Sequence, residues 1–494
     1  MTVFKCLIAI VAAALAAIAV WHLETARRGV TITPLDAGGT PASAYRLPES
    51  HGPIVIITHG FAGSRQLMEA FALTLARAGY TAVSFDFQGH GRNPAPMSGD
   101  LTRIEGTTQH LIAETAAVID AAQRAFGQLS EPIALLGHSM ATDIMVRHAI
   151  TDSRVVAVVA VSMYSEAVTA KEPARLLVVT GAWEPGLRKV ALAALRLVDP
   201  QAEEGDTASD PQNTVLRRAV VSPMVEHVGV LYSATSLREA RAWIDGAFGR
   251  ESSGPVSTTG GWIALLLGSL VLLAWPLAAL LPTRRRRPDG PFTGTFLTAT
   301  LLPAVLTPLV LYPIELNFLP VLVADYLVLH FLLYGLLALA LLRWHGVGFG
   351  KLDLLAIFVL VAFALGVFGL ALDRYTASFL PHWGRLPVIA ALAVGALPFM
   401  LADSILTEAG HAPLWRSFVA RLVFLASLGL AVALDFERLF FLIIVLPVIV
   451  LFFLVFGLMG RWVGRRCSTA MAPGLALGLI LAWALGVTFP LVAT

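Results

Sequence analysis

The sequence predicts a two-part chain: an α/β domain with a mainly parallel sheet, followed by an all-α polytopic membrane domain. Three observations carry this prediction. Charge is scarce, with 35 Lys or Arg and 33 Asp or Glu in 494 residues, 14% together, against about 25% in a typical soluble chain. Strand-like and helix-like stretches alternate through the first half, and long apolar runs recur through the second. The charge is also uneven: residues 30–258 carry 18 basic and 23 acidic side chains, residues 261–494 only 14 and 9. The formal net charge of +2 therefore averages two different objects.

The first element is the apolar run Leu7–Val20 behind Lys5. Ala17-Ile18-Ala19 resembles a signal-peptide cleavage site, whereas Cys6–Trp21 is nearly long enough to span a bilayer; the reading favours an uncleaved signal anchor over residues 1–29. Residues 30–258 form the soluble domain. Its strands are expected at Pro53–His59, Thr81–Phe87, Ile133–Leu136, Arg154–Ser162, Arg175–Thr180 and Val215–Ser222. Between them lie the helical patterns Arg65–Ala78, Arg103–Phe126, a stretch after Gly137 to about His148, and Pro185–Leu197, with Ser236–Phe248 closing the domain. Uninterrupted apolar strands alternating with helices imply a parallel sheet covered on both faces.

From residue 259 onward the pattern changes. Eight apolar segments, at roughly 261–281, 293–312, 321–342, 353–372, 386–405, 417–434, 439–459 and 472–491, are each long enough to cross a bilayer as a helix. Orientation follows from the basic residues beside them. With Arg284–Arg287 in the cytoplasm, Lys5, Arg343, Lys351, Arg416, Arg461, Arg465 and Arg466 fall on the same side, and the short loops of the other side receive only Arg374, Arg385 and Arg438. Arg27 and Arg28 count against this but introduce a long domain that can translocate regardless of charge. The expectation is a multi-pass protein of the plasma or inner membrane, with a cytoplasmic N-terminus and an extracytoplasmic domain at 30–258. The arginine tetrad reads as a topology marker rather than a nucleic-acid site. Cys6 and Cys467, the only cysteines, form no disulfide framework, and with no CxxC or HExxH no metal site is expected.

The chemistry concentrates around Gly137-His138-Ser139-Met140-Ala141, between a short apolar strand and a helix. A serine on such a sharp turn sits at a helix N-terminus, where N–H groups stabilise negative charge, and small neighbours let helix and strand pack closely. His59-Gly60-Phe61-Ala62-Gly63-Ser64 follows the first of these strands. Its Phe61 amide is placed to form an oxyanion hole with that of Met140. Glu184 follows the Arg175–Thr180 strand and His227 follows Val215–Ser222, so the chain order is Ser, Glu, His.

On these motifs residues 30–250 resemble the α/β-hydrolase family, with Ala141 where the family's pentapeptide usually ends in Gly. The resemblance implies Ser139 as nucleophile, His227 as general base and then acid, and Glu184 as the carboxylate orienting it; Asp210 is the alternative acid. It implies no cofactor. His59, Gly60, Gly137 and His138 are loop-shaping members of the motifs, and Asp86 a strand-end residue. Relatives often insert a helical cap after the sixth strand, whereas here only Met163–Ala174 separates two strands, a minimal cap. The expected function is a membrane-bound serine hydrolase, esterase or lipase-like, on a lipid or acyl-ester substrate. Acyl transfer on the same triad, a peptidase, or a transporter or sensor with a non-catalytic hydrolase-like domain are the alternatives. In the membrane half Asp325, His330, Asp403 and Arg421 are polar candidates, with Arg421 pairing to either Asp325 or Asp403.

Overall fold

The computed structural model describes residues 3–100, 104–283, 290–315, 317–467 and 469–493. The arginine tetrad Arg284–Arg287 lies outside them, as does Arg103. The chain opens with helix α1 (Val3–Arg27) and a hairpin of strands β1 (Thr31–Ala37) and β2 (Thr40–Arg46). There follow β3 (Ile54–Thr58), α2 (Glu69–Arg77), β4 (Thr81–Phe85), α3 (Gln109–Phe126), β5 (Ile133–His138), α4 (Met140–Thr151), β6 (Val155–Val161) and β7 (Arg175–Gly181). Helix α5 (Pro185–Arg196), β8 (Thr207–Ser209), β9 (Leu216–Ser222) and α6 (Ala234–Ala247) complete this half.

The nine strands form one sheet in the order β1-β2-β4-β3-β5-β6-β7-β9-β8. The run from β4 to β9 is parallel, and antiparallel β1-β2 and β8 close the two edges. Every residue of β3, β4 and β5 is buried, because alternate side chains enter opposite layers. Ile54 and Ile56 pack with Leu111, Val118 and Ile144 of α3 and α4. Val55 and Ile57 pack with Phe71, Leu75, Leu237 and Ile244 of α2 and α6. The sheet is thus sandwiched between two helical layers, the α/β-hydrolase architecture expected. The hairpin β1-β2 and the short β8 were not expected: Pro34, Asp36 and Pro41 dilute the strand pattern, as edge strands tolerate.

The second half is helical: α7 (Gly260–Ala278), α8 (Thr293–Leu311), α9 (Ala324–Trp344), α10 (Leu354–Tyr375), α11 (Trp383–Leu406), α12 (Leu414–Leu434), α13 (Leu442–Gly464) and α14 (Met471–Thr488). With α1 these make nine helices, among the described residues, long and apolar enough to cross a membrane. Helix α11 accommodates Pro398 and Asp403. Helix α14 stops at Thr488, short of the expected 491, because the chain beyond it turns extended. Helices α11 and α14 come close through Gly474 and Gly478, where an added Cβ would meet Leu401 and Leu397 Cα at 2.8 Å, the small-xxx-small arrangement of helices whose backbones touch. Helix α1 packs on α7, with Phe4 against Trp275 and His22 stacked on Trp262 at 3.7 Å between ring centroids.

One end of this bundle is fastened to the loops at the carboxyl edge of the sheet. Buried Arg385, at the start of α11, donates to the carbonyls of Gly89, Gly486 and Phe489. Leu491 and Ala493 exchange backbone hydrogen bonds with Gly89 and Met97. Arg92 pairs with Asp373, and the Ser378 amide donates to Ser64 Oγ at 3.0 Å. All these contacts converge on residues 64–66 and 89–97, between the strand ends and the bundle.

Candidate active site

Strand β5 runs into the turn that presents Ser139. Ser139 holds φ 53°, ψ −121°, a conformation L residues adopt only when the surroundings impose it. The imposing contacts are tight. A Cβ on Gly137 would meet Ala141 O at 2.9 Å, and one on Gly60 would meet Ser139 Cβ at 2.8 Å. Ala141 is fully buried in this packing, so a methyl group fits at the fifth motif position. The turn aims Ser139 Oγ at His227, whose Nε2 lies 2.9 Å away. His227 Nδ1 lies 2.6 Å from Glu184 Oε1, which fixes the tautomer: Nδ1–H donates to the carboxylate and Nε2 accepts from the serine.

Glu184 follows β7 and is buried, while His227 has 43% of its side chain exposed. Burial by itself raises the Glu184 carboxyl pKa, but it is overcome: hydrogen bonds from His227, the Gly181 amide (2.6 Å) and Ser162 Oγ (2.8 Å) hold the carboxyl below its usual value. Ser162, at the end of β6 with φ 54°, was not singled out from the sequence, since a serine ending an apolar strand carries no local signature. Asp210, the alternative acid, instead closes a turn with Thr214 Oγ1 and the Val215 amide.

The motif histidines shape loops, each as a neutral ring. His59 Nε2 accepts from the Phe87 amide, so Nδ1–H donates to Gly60 O at 2.8 Å; burial lowers its pKa. His138 reaches the His227 carbonyl at 2.9 Å through Nε2. Burial first, then the neighbouring His227, push it down to about 3. It therefore pins the backbone of His227 without carrying charge. Asp86 accepts from the Arg65 and Arg92 amides and from the Arg65 guanidinium, holding together the two loops that flank the site. Met140 opens α4, so its amide is among the N–H groups the helix leaves unused. Phe61 sits in the turn closed by the Gly63 amide on Gly60 O at 3.0 Å. Its ring packs on Phe441, just ahead of α13, at 5.4 Å. The rest of the rim is open: Tyr164, Trp183 and Met224 are each more than half exposed.

The four polar candidates of the helical half separate. Asp403 and Arg421 pair at 3.2 Å and line a cavity of about 220 Å³ with Ser404, Thr407 and Arg461. Asp325 has no part in this pair; its Oδ1 accepts from the Phe318 and Leu319 amides and shapes the entry to α9. His330 is wholly buried, linked to Tyr326 and Ser427 at 3.2 and 3.1 Å. None of the four contacts the Ser139 group. Among the described residues no cluster of His, Cys, Asp and Glu is arranged to hold a metal.

Residues 49–215 match the family described as serine aminopeptidase, S33. Together with the sheet order and elbow above, this gives the sheet-bearing half the α/β-hydrolase fold. No curated protein matches the chain. Among solved structures it is similar to TT1662 from Thermus thermophilus, at 19% identity over 45% of this chain and 99% of that one, TM-score 0.34. A dienelactone hydrolase from Anabaena variabilis is 17% identical over 44% and 97%, TM-score 0.31. A membrane phospholipase A is 15% identical over 48% and 93%, TM-score 0.34.

Proposed function

We propose that the chain is a membrane-bound serine hydrolase that cleaves carboxylic ester or thioester bonds of lipid or acyl substrates. The observation that carries this reading is the Ser139–His227–Glu184 chain of hydrogen bonds at 2.9 and 2.6 Å, beside a β6–β7 connection that contains no helix. In this mechanism Ser139 Oγ attacks the substrate carbonyl carbon as its proton passes to His227 Nε2. Glu184 stabilises the imidazolium, and the Phe61 and Met140 amides receive the oxyanion. His227 then protonates the leaving alcohol or thiol. Water, deprotonated by His227, releases the acid and restores Ser139.

In this reading the nine apolar helices lie in the bilayer, with α1 kept as an anchor. The packing of α1 on α7 supports its retention. Arg343, Lys351, Arg416, Arg461, Arg465 and Arg466 occur at helix ends away from the sheet, as a cytoplasmic far side requires. A fluorophosphonate probe is the direct test. It should label the wild type and not Ser139→Ala; a folded wild type that stays unlabelled would transfer the assignment to a non-catalytic ligand-binding domain. The S33 name raises a peptidase as an alternative, and turnover of amino-acid amides in preference to esters would select it. Acyl transfer is the remaining alternative, separated by supplying an alcohol acceptor and measuring the ester formed.

A further inference from the structure

A cavity of about 360 Å³ lies between the oxyanion loop and the helical bundle, within the roughly 300–1,000 Å³ range of small-molecule sites. One wall is Ala62, Gly63 and Ser64, the residues directly after Phe61. The opposite wall comes from α13, where Val448, Phe452 and Phe456 line it, and from α10 and α14, through Phe368, Leu372 and Val487. Val448 to Phe456 is nine residues of helix, eight rises of 1.5 Å and so a depth of roughly 12 Å. Phe441 precedes that same helix and covers Phe61, so the slot and the roof of the oxyanion loop belong to one element.

The polarity is graded along it. Ser64 and Ser378 lie at the sheet end, where the Ser378 amide already donates to Ser64 Oγ, while the deeper walls are Leu, Val and Phe. A head group would find few partners there, whereas a hydrocarbon chain needs none.

We propose that this slot holds the acyl chain of the substrate, so that the helical bundle supplies the chain selectivity that a cap supplies in other hydrolases. The proposal rests on the ester-hydrolase reading above. It specifies a long-chain acyl ester whose carbonyl sits at Ser139 and whose tail passes Ala62–Ser64 into the bundle.

The test uses the full-length, detergent-solubilised protein with p-nitrophenyl butyrate and p-nitrophenyl laurate. Rates are expressed per molecule labelled by a short-alkyl fluorophosphonate, which counts folded active sites. Ala484→Phe places a ring in the slot from α14 and should lower the laurate-to-butyrate ratio of kcat/KM by about tenfold or more. Phe452→Ala deepens the slot and should move the preferred ester to a longer chain. If Ala484→Phe yields no labelled protein, Phe452→Ala decides alone. A chain-length profile equal to wild type in every variant that labels would overturn the proposal, leave the hydrolase reading intact and assign the cavity to a structural lipid. Absence of both labelling and ester turnover in the wild type would remove the underlying reading, and the proposal with it.

Discussion

The ring of Phe441, from the helical half, packs on the ring of Phe61 with centroids 5.4 Å apart and planes tilted by 36°. Phe61 also packs nearly at right angles to the His90 ring, with centroids 5.7 Å apart. The residue whose amide is proposed for the oxyanion hole is therefore clamped between a sheet-side loop and a distant part of the chain. Aromatic pairs of this kind contribute about 0.5–1.5 kcal/mol beyond the area they bury. Phe441→Ala should lower kcat for a short-chain ester by roughly tenfold with KM little changed, as expected when an interaction made in the transition state is weakened. An unchanged kcat would show that the loop keeps its shape without this ring.

The Glu184 carboxylate accepts from three donors, the His227 ring, the Gly181 amide and the Ser162 hydroxyl, of which the hydroxyl can be removed alone. Glu184→Gln presents an amide where His227 needs an acceptor, and kcat should fall by a factor on the order of 10⁴. Ser162→Ala deletes one buried hydrogen bond of about 1–3 kcal/mol and leaves the other two, so a loss of about tenfold is expected. Steady-state ester hydrolysis of the two variants should rank them in this order; equal losses would mean that Ser162 alone sets the carboxylate's position.

Acid should loosen the hydrolase half before it touches Glu184. Burial holds His138 and His90 down to about 3, whereas in the unfolded chain they titrate near 6.5. Between those values the unfolded state binds more protons. Stability is therefore fully present above about pH 6.5 and declines as pH falls toward 3, by about 1.4 kcal/mol per pH unit for each histidine. The temperature at which fluorophosphonate labelling is half lost should drop between pH 6.5 and 4.5. His138→Asn should shallow that dependence, and a parallel curve in the variant would count against a neutral His138.

The Asp403–Arg421 pair is largely shielded, with 6% and 21% of the side chains exposed, and Arg421 also lies over the Phe453 ring at 4.7 Å. Removing one partner of a buried pair costs about 3–5 kcal/mol, while removing both is often near neutral. Arg421→Met should reduce the yield of folded protein, and Asp403→Asn combined with Arg421→Met should restore much of it. Hydrolysis per labelled molecule should stay at the wild-type rate in both. A loss of turnover in the double variant would instead tie the pair to the reaction.

What the sequence revealed follows from how local each signal is. The elbow at Ser139 is written in five consecutive residues, and the parallel strands in uninterrupted apolar runs. His227 and Glu184 were legible through their order after two such strands. Ser162 was not, because its role exists only where β6 and β7 lie side by side. The β1-β2 hairpin was missed because both strands contain proline and β1 leaves residues exposed. The contacts of Arg385 with Gly89 and of Phe441 with Phe61 join residues hundreds of positions apart, and nothing in hydropathy or charge encodes such a pairing. Charge pattern did mark Asp403 and Arg421 as candidates, but left open whether Asp325 or Asp403 was the partner.

The extended pairing of Leu491 and Ala493 with Gly89 and Met97 also has a temporal meaning. These residues follow every long apolar helix in chain order, whereas the Ser139 turn and its partners precede all but α1. During synthesis the triad can be assembled while the loop from Gly89 to Met97 still lacks its neighbour and Arg385 still lacks the Phe489 carbonyl. The seal closes only after the last helix has been made and seated, so a chain that stalls midway through the bundle carries an unfinished hydrolase.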